Sequence, residues 1–185
     1  DNAFAIILED TPDNLALEYK DFTVKNLADQ RALSGPNECL TVAVDSTASI
    51  LVDNVDAVDC AYTSMMLGTR FLIYDPAPDS GPSVSIKNSN ISRTGAHNGS
   101  SNGLRIFGAI DSTVDSVTVS NHTIGFTYYS RENTSDGTLS VNNSTREGNA
   151  RGVGISSNAG SGLQATLTNN TIYGNHYELN PAIGA

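Results

Sequence analysis

The sequence has no tryptophan, only two cysteines and little basic charge. Its 185 residues include ten Lys and Arg against twenty Asp and Glu, which gives a formal net charge of −10. Nucleic-acid binding needs clustered Lys and Arg on the phosphates, and attraction to anionic lipid needs the same sign of charge. The composition therefore argues against nucleic-acid and membrane partners, and it predicts an acidic, well-solvated surface.

Long apolar runs are also absent. No stretch approaches the roughly 20 apolar residues of a membrane span. The apolar run at residues 3–8 is short and lacks the basic leader of a secretory signal peptide, as expected of a mature chain.

The two cysteines, Cys39 and Cys60, are an even number in an acidic chain rich in Ser, Thr and Asn. This pattern favours one disulfide in an oxidising compartment, and two buried free thiols are the alternative. We therefore expect a secreted protein that works outside the cell or at the cell surface.

Helical periodicity is missing, and a short apolar–polar alternation leading into Asn recurs instead. It reads VSIKN at residues 84–88, VTVSN at 117–121 and ATLTN at 165–169. With looser copies, the aligned Asn or Asp falls at Asp21, Asn54, Asn88, Asn121, Asn143 and Asn169. A second strand-like run recurs between these positions, at residues 40–45, 71–75, 104–111 and 152–156.

One repeat of short strands cannot bury its apolar face alone, so neighbouring repeats must stack. We predict an all-β fold, a right-handed parallel β-helix of about six coils, with Val84, Val117 and Leu167 in one inward column. Asn suits the bends because it tolerates left-handed backbone. A β-sandwich is the alternative. Residues 14–185 would form the β-helix domain, and residues 1–13 an N-terminal arm or capping strand.

The runs VSIKNSNISRTG, VTVSNHTIG and ATLTNNTIYGN resemble the parallel β-helix repeats of the pectate-lyase-like superfamily. The resemblance covers the chain from Leu15 onward. It indicates a fold more than a function, because the superfamily includes lyases, hydrolases, epimerases, phage spikes and adhesins. It would imply a Ca²⁺-binding Asp cluster with an Arg base, or paired Asp residues. The hydrolase motifs Asn-Thr-Asp, Asp-Asp, Gly-His-Gly and Arg-Ile-Lys are absent from the sequence.

The strongest acidic group is Asp53, Asp56 and Asp59, with Asp45 one strand earlier. Oxygen ligands at this spacing could hold Ca²⁺. Solvent-facing residues of one strand have the same spacing, and we favour that interpretation, which requires no metal and no cofactor. Asp111 is expected to end a strand and cap a turn.

The basic and histidine residues give no catalytic constellation. The three histidines lack ligand spacing, and the alignment of His122 with Ser89 and Asn170 predicts an exposed turn. Arg70, Arg105 and Arg151 are each expected at the start of the second strand. There they could form a column that binds a carboxylated sugar, or they could pair with nearby Asp.

N-x-S/T sequons are candidates for N-glycosylation in an extracellular protein. Exposed bends and loops are suitable sites, and Asn98 and Asn133, expected in loops, come first. The sequon residues are Asn90, Asn98, Asn121, Asn133, Asn142, Asn143 and Asn169.

The end coils of a solenoid expose apolar core and unpaired strand edges unless a helix or a polar repeat covers them. The apolar residues Phe4, Ile6, Ile7 and Leu8 could fold back over the first coil, or add to a neighbouring subunit by donor-strand exchange. The second contact, repeated head to tail, gives a filament.

We therefore predict a structural protein that self-associates through its chain ends, as a homo-polymeric extracellular filament or adhesive surface structure, and not an enzyme. The alternative is a carbohydrate-active β-helix that takes glycans as ligands: a polysaccharide lyase, an epimerase or a sugar-binding module. A fragment of a longer adhesin or phage spike is a third interpretation.

Overall fold

A computed structural model describes residues 4–8, 14–25, 38–44, 47–60, 62–69, 81–94, 101–129, 137–157, 162–175 and 177–183. It describes the side chains of these segments except those of residues 4–8, 38, 157 and 177–183. Every regular element in this part of the chain is a β-strand, and none of it forms a helix that could cross a membrane.

The described strands form two sheets. In chain order they are β1 (Phe4–Leu8), β2 (Ala16–Lys25), β3 (Glu38–Val44), β4 (Ser49–Val58), β5 (Thr63–Gly68), β6 (Ser83–Lys87), β7 (Asn90–Ser92), β8 (Asn102–Phe107), β9 (Asp111–Asp115), β10 (Thr118–Ser120), β11 (Ile124–Tyr129), β12 (Thr138–Asn142), β13 (Thr145–Glu147), β14 (Arg151–Ser157), β15 (Gln164–Thr168), β16 (Thr171–Tyr173) and β17 (Tyr177–Ile183). Sheet A has the spatial order β1-β3-β5-β8-β11-β14-β17, and sheet B contains the other ten strands.

All strand pairings in both sheets are parallel. A β-sandwich of the kind considered as the alternative has antiparallel sheets, so that alternative does not fit. The chain alternates between the sheets: each strand of sheet A before β17 is followed by one long strand or two short strands of sheet B. The fold is therefore all-β with parallel sheets, which is compatible with the predicted β-helix.

A passage is one run of the chain through sheet B, as one long strand or two short strands. Each passage bends once, at a residue with positive φ. Asn and Asp adopt this left-handed backbone more readily than most residues. Asn54 Nδ2 donates a hydrogen bond to Asp21 Oδ1 at 2.8 Å. Asn88 and Asn143 donate similar bonds to Asp53 and Asp115, each of which directly precedes the bend of the preceding passage. The bend residues, with φ from 49° to 59°, are Asp21, Asn54, Asn88, Ser116, Asn143 and Asn169.

The structure corrects the predicted repeat alignment at the fourth bend, which is Ser116 and not Asn121. The run at residues 117–121 follows this bend, and its strand β10 pairs with β7 instead of aligning with β6. Val84 pairs with Ser112 and lies in the column of Ala165, whereas Leu167 lies in the column of Ile86. The predicted column is therefore wrong for both Val117 and Leu167. The pattern misled the alignment because β6 and β10 both alternate apolar and polar residues before a left-handed bend.

The strands of sheet A also depart from the prediction. The runs at residues 40–45 and 152–156 correspond to β3 and β14, but β5 and β11 are not anticipated from the sequence. Strand β8 ends at Phe107, so Asp111 begins β9 and does not end a strand. Residues 71–75 and Asp45 lie outside the described residues.

Inward side chains of both sheets meet in one apolar core. In sheet A they follow the register Leu40–Met65–Leu104–Phe126–Val153, and all five are essentially fully buried. In sheet B, Ile86, Val114 and Val141 form such a column. Burying each aliphatic side chain of this size contributes roughly 1.5–3 kcal/mol.

Cys39 and Cys60 form the predicted disulfide, with their Cα atoms 5.9 Å apart, within this core. A disulfide of this kind is typical of proteins in an oxidising environment.

Candidate functional site

A groove of about 440 Å³ crosses the outer face of sheet A over β8, β11 and β14. Two cations and two aromatic rings line it: Arg105, Arg151, Tyr62 and Tyr129. The guanidinium carbon of Arg105 lies 5.4 Å from the centroid of the Tyr129 ring, within cation–π range. A smaller hollow of about 190 Å³ shares Ile124, Tyr129 and Arg151 with this groove.

Strand alternation places the groove residues. Arg105 lies between the buried residues Leu104 and Ile106 of β8, so it faces the opposite side of the sheet. Arg151 is the first residue of β14 and pairs with Ile124. The two arginines therefore occupy different columns, and the predicted arginine column is wrong; Arg70 lies outside the described residues.

The groove is lined by positively charged, aromatic and neutral polar side chains, and the tyrosine hydroxyls are its candidate proton-transfer groups. No described residue that lines it is Asp, Glu or His. Two guanidinium groups beside aromatic rings match a carboxylate-bearing, ring-shaped ligand such as an acidic sugar. General acid–base catalysis would need a titratable group within hydrogen-bond reach of that ligand.

The Ca²⁺ candidates bond to neighbouring passages of sheet B. Asp53 accepts from Asn88 Nδ2 at 2.9 Å and pairs with Lys87 Nζ at 3.3 Å. The hydrogen bond from Asn88 and the charge of Lys87 lower the pKa of Asp53. Asp56 accepts from the backbone N–H of Asn90 at 3.3 Å.

Asp59, the third acidic candidate, accepts from Thr94 at 2.7 Å for the backbone N–H and 3.0 Å for the hydroxyl. Within the described segments, no three His, Cys, Asp or Glu side chains gather in a group that could hold a metal ion. These carboxylates therefore act as hydrogen-bond acceptors that link successive passages of the chain.

The described sequon residues differ in exposure. Asn90, Asn121 and Asn142 are half-buried, and the side-chain amide of each donates a hydrogen bond at 2.8–3.3 Å. Asn143 and Asn169 lie at exposed bends, and Asn143 donates to Asp115 at 2.8 Å. Exposure thus favours Asn169 and Asn143 as glycan sites; Asn98 and Asn133 lie outside the described residues.

His122 is buried, which corrects the predicted exposed turn. Its Nε2 lies 2.8 Å from Oγ of Ser64, and its backbone N–H donates to Asn149 Oδ1 at 2.8 Å. Gly103 lies next to the ring, and a Cβ there would clash with Cγ1 of Val119 at 2.2 Å and with the Gly125 carbonyl oxygen at 2.6 Å.

The Ser64–His122 pair has the residue types of a nucleophile and its base, but both side chains are fully closed off from solvent. Burial and, to a lesser extent, the charge of Arg93 lower the pKa of His122 to about 4, against a smaller opposing effect of the Ser120 backbone. We interpret the pair as a hydrogen bond within the core, since no substrate could reach either atom.

Arg146 is a cation that sequence reasoning does not find. It is 1% exposed, and its Nη1 donates to the carbonyls of Val117 at 3.0 Å and Thr145 at 3.1 Å. Its guanidinium carbon lies 5.5 Å from the centroid of the Phe126 ring. Its Nε and Nη2 have no hydrogen-bond partner in the described part of the chain. Burial lowers the pKa of Arg146 to about 10.

Replacing Arg146 with isoleucine is expected to raise the free energy of unfolding by about 1–4 kcal/mol. The buried guanidinium has no carboxylate among its hydrogen-bond partners in the described segments, whereas its register neighbours Val119 and Ile172 are aliphatic. Urea titration of both proteins measures the difference. The solvent-exposed Arg151→Ile is the matched control and should change stability little. A loss of stability in Arg146→Ile would contradict the prediction.

The first and last strands of sheet B leave inward side chains partly uncovered. Each side chain of β15 is exposed, and Leu167 is 37% exposed although Ile86 in the same column is 0% exposed. The inward Ile172 of β16 is half-buried, and its outward neighbour Tyr173 is 53% exposed. At the other end, the apolar residues of β2 are only half-buried: Leu17, Tyr19, Phe22 and Val24.

These end strands also have an unpaired edge in the described part of the chain. Strand β2 pairs only with β4, β15 only with β12, and β16 only with β13. Such an edge presents free N–H and C=O groups to another chain.

The ends of sheet A are formed by β1 and β17. The segment that contains Phe4, Ile6, Ile7 and Leu8 pairs with its own β3, from Phe4 opposite Leu40 to Leu8 opposite Val44. This backbone pairing corresponds to the fold-back alternative. At the other end, β17 pairs with β14, so sheet A extends one strand beyond β15 and β16.

No family model, no curated protein and no solved structure matches this chain. The interpretation of these sites therefore rests on their own geometry.

Proposed function

We propose that this protein is a secreted structural subunit that associates end to end with copies of itself, in an extracellular filament or an adhesive surface structure. In this proposal the two sheets are faces of one right-handed β-helix of about six coils. The observation that carries it is the pair of uncovered ends of sheet B, at β2 and at β15–β16. Each end has inward apolar residues that are only partly covered and, within the described strands, an unpaired edge.

Apolar contacts support a junction between these ends. In this junction, β2 of one copy pairs with β15 and β16 of the other copy, in the same register that relates neighbouring strands within sheet B. Inward apolar residues then meet inward apolar residues, and water is excluded from both. The resulting pairs are Leu17 with Ala165, Tyr19 with Leu167, and Val24 with Ile172.

Polar contacts support the same register. Asp21 would meet Asn169, and these residue types already bond between bends, as in Asn54 to Asp21. Like charges directly opposite each other would destabilise a sheet, and this register creates none. Glu18 would lie beside Thr166, Lys20 beside Thr168, and Lys25 beside Tyr173.

We expect the purified protein to form elongated particles, and to form more of them as salt screens the net charge of −10 that each copy carries. Leu167→Lys should raise the concentration needed for assembly at least about tenfold, because it places a charge in the apolar junction. Light scattering and negative-stain imaging measure both effects.

The matched control is Thr166→Lys, which adds the same charge one residue away, on the outward face and beside the expected position of Glu18. It should assemble like the native protein. Both variants should keep the native circular dichroism spectrum, since residue 167 is already 37% exposed. A native chain that remains monomeric at every salt concentration would rule out the proposal.

The groove on sheet A favours one alternative, a sugar-binding or other carbohydrate-active protein. Arg105, Arg151 and Tyr129 together suit an acidic sugar. Uronate oligosaccharide binding that is lost in Arg151→Ala, by a protein that stays monomeric, would favour this alternative over assembly.

A further inference from the structure

We infer that β17 occupies the position in sheet A that β1 of the next copy takes when two copies join, so that β17 must leave β14 before the chain can polymerise. This inference rests on the proposed end-to-end association and specifies how it occurs.

The unequal number of strand layers carries the inference. In the described part of the chain, sheet A has seven strands in series, whereas sheet B has six layers from β2 to the β15–β16 pair. When β2 of an incoming copy lies beside β15 and β16, its β1 falls in the layer that β17 occupies beside β14. The backbone groups on that edge of β14 can pair with only one parallel strand.

The alternative geometry leaves a gap. If β1 of the incoming copy paired with β17, sheet B would lack one strand layer of about 4.8 Å at the junction. Leu167 and the edge of β15 would then stay uncovered. Both sheets continue across the junction between copies only if one strand, β1 or β17, is displaced from its position in sheet A.

Several features select β17 as the strand that leaves. Strand β1 pairs with β3 over five residues and can keep this pairing, because its other edge is the one that would meet β14. Strand β17 contains Pro181, opposite Ile155, and a proline within a strand is confined to sheet edges because it has no N–H to donate. Strand β17 is therefore suited to the outermost position of sheet A, where no further strand pairs with it.

The register columns favour the replacement. Phe4 and Ile6 stand in the same columns as Leu179 and Pro181, respectively. The exchange thus keeps an apolar sequence pattern and replaces a proline with isoleucine at the central position. One strand pairing is lost for each one gained, so the net driving force is the burial at β2 and β15–β16.

A disulfide between β17 and β14 tests this displacement. Gly154 pairs with Asn180, and a Cβ at residue 154 would meet nothing closer than the Phe126 carbonyl oxygen at 3.9 Å, so cysteine fits there. Oxidised Gly154→Cys/Asn180→Cys should lose assembly, whereas each single variant should assemble like the native chain. Ser156→Cys/Ala182→Cys is a second lock on the same strand pair, in case the first variant does not fold.

Two further cysteine pairs test the position of β1. Ala5→Cys/Thr41→Cys locks β1 to its own β3 and should assemble normally, because β1 does not leave β3. Oxidised Ala5→Cys/Gly154→Cys should give a ladder of covalent multimers on a non-reducing gel, because these residues meet only between copies.

The outcomes separate the inference from the proposed function. Normal assembly of the oxidised β17 locks would overturn the displacement while end-to-end association stands. Failure of Ala5→Cys/Thr41→Cys to assemble would also overturn it, in favour of a β1 that detaches as a donor arm. If neither the native chain nor any variant assembles, the proposed function fails together with the inference.

Discussion

Replacing Cys39 and Cys60 together with alanine is expected to lower the free energy of unfolding by about 2–5 kcal/mol. The disulfide joins residues 21 positions apart, and a closed loop of that size contributes about 3 kcal/mol in the chain-entropy account. Both cysteines are buried, so the change also removes packed sulfur atoms from the core. Urea titration followed by circular dichroism measures the loss.

The single variant Cys39→Ala is the informative control. It breaks the same cross-link and leaves Cys60 as a buried thiol, so it should lose nearly as much stability as the double variant. A double variant as stable as the native protein would show that the stacked strands do not need the cross-link. A much larger loss in the double variant than in the single one would assign the effect to packing.

The bends of sheet B are the part of the fold that the sequence predicts best. A left-handed residue is a local requirement, and Asn and Asp meet it within a few residues of chain. All six predicted bend residues have positive φ, and five of them form the bends within sheet B: Asp21, Asn54, Asn88, Asn143 and Asn169. The disulfide follows from a similarly simple inference, since only two cysteines are present.

Register between passages of the chain is harder to predict, because it depends on partners about 30 residues away. Ser116 forms a bend although serine carries a weaker signal than Asn, and Asn121 forms a different bend of its own. Strand β5, with sequence TSMMLG, is buried at all six positions and so lacks the alternation that marks a half-exposed strand.

The burial of Arg146 and of His122 cannot be predicted from the sequence, and the physical reason is the same for both. The direction of a side chain follows from the strand's register, and a one-residue shift turns every side chain to the other face. Arg146 occupies the aliphatic column of Val119 and Ile172, which becomes visible only when β10, β13 and β16 are aligned. The buried position of His122 involves Ser64 and Asn149, which are 58 and 27 residues away in the sequence.

His122 should make the protein less stable as the pH falls from about 6.5 to about 4. Its ordinary pKa of 6.5 applies to the unfolded chain, and burial lowers the folded value to about 4. Between these values the unfolded chain binds more protons, so the stabilisation is fully present above 6.5 and is lost as the pH falls. A shift of this size corresponds to roughly 3 kcal/mol. Urea titrations at several pH values between 4 and 7 measure the slope.

The variant His122→Asn isolates this effect. Asn149 and Asn175 already form a hydrogen-bonded series with the backbone of residue 122, so asparagine suits this column. Asparagine does not titrate, and the variant should lose most of the slope that the native protein has between pH 6.5 and 4. The other two histidines and all carboxylates are common to both proteins, so their contributions cancel in the difference. Equal slopes in the two proteins would mean that His122 is solvated in solution, and its hydrogen bond to Ser64 would then not belong to a closed core.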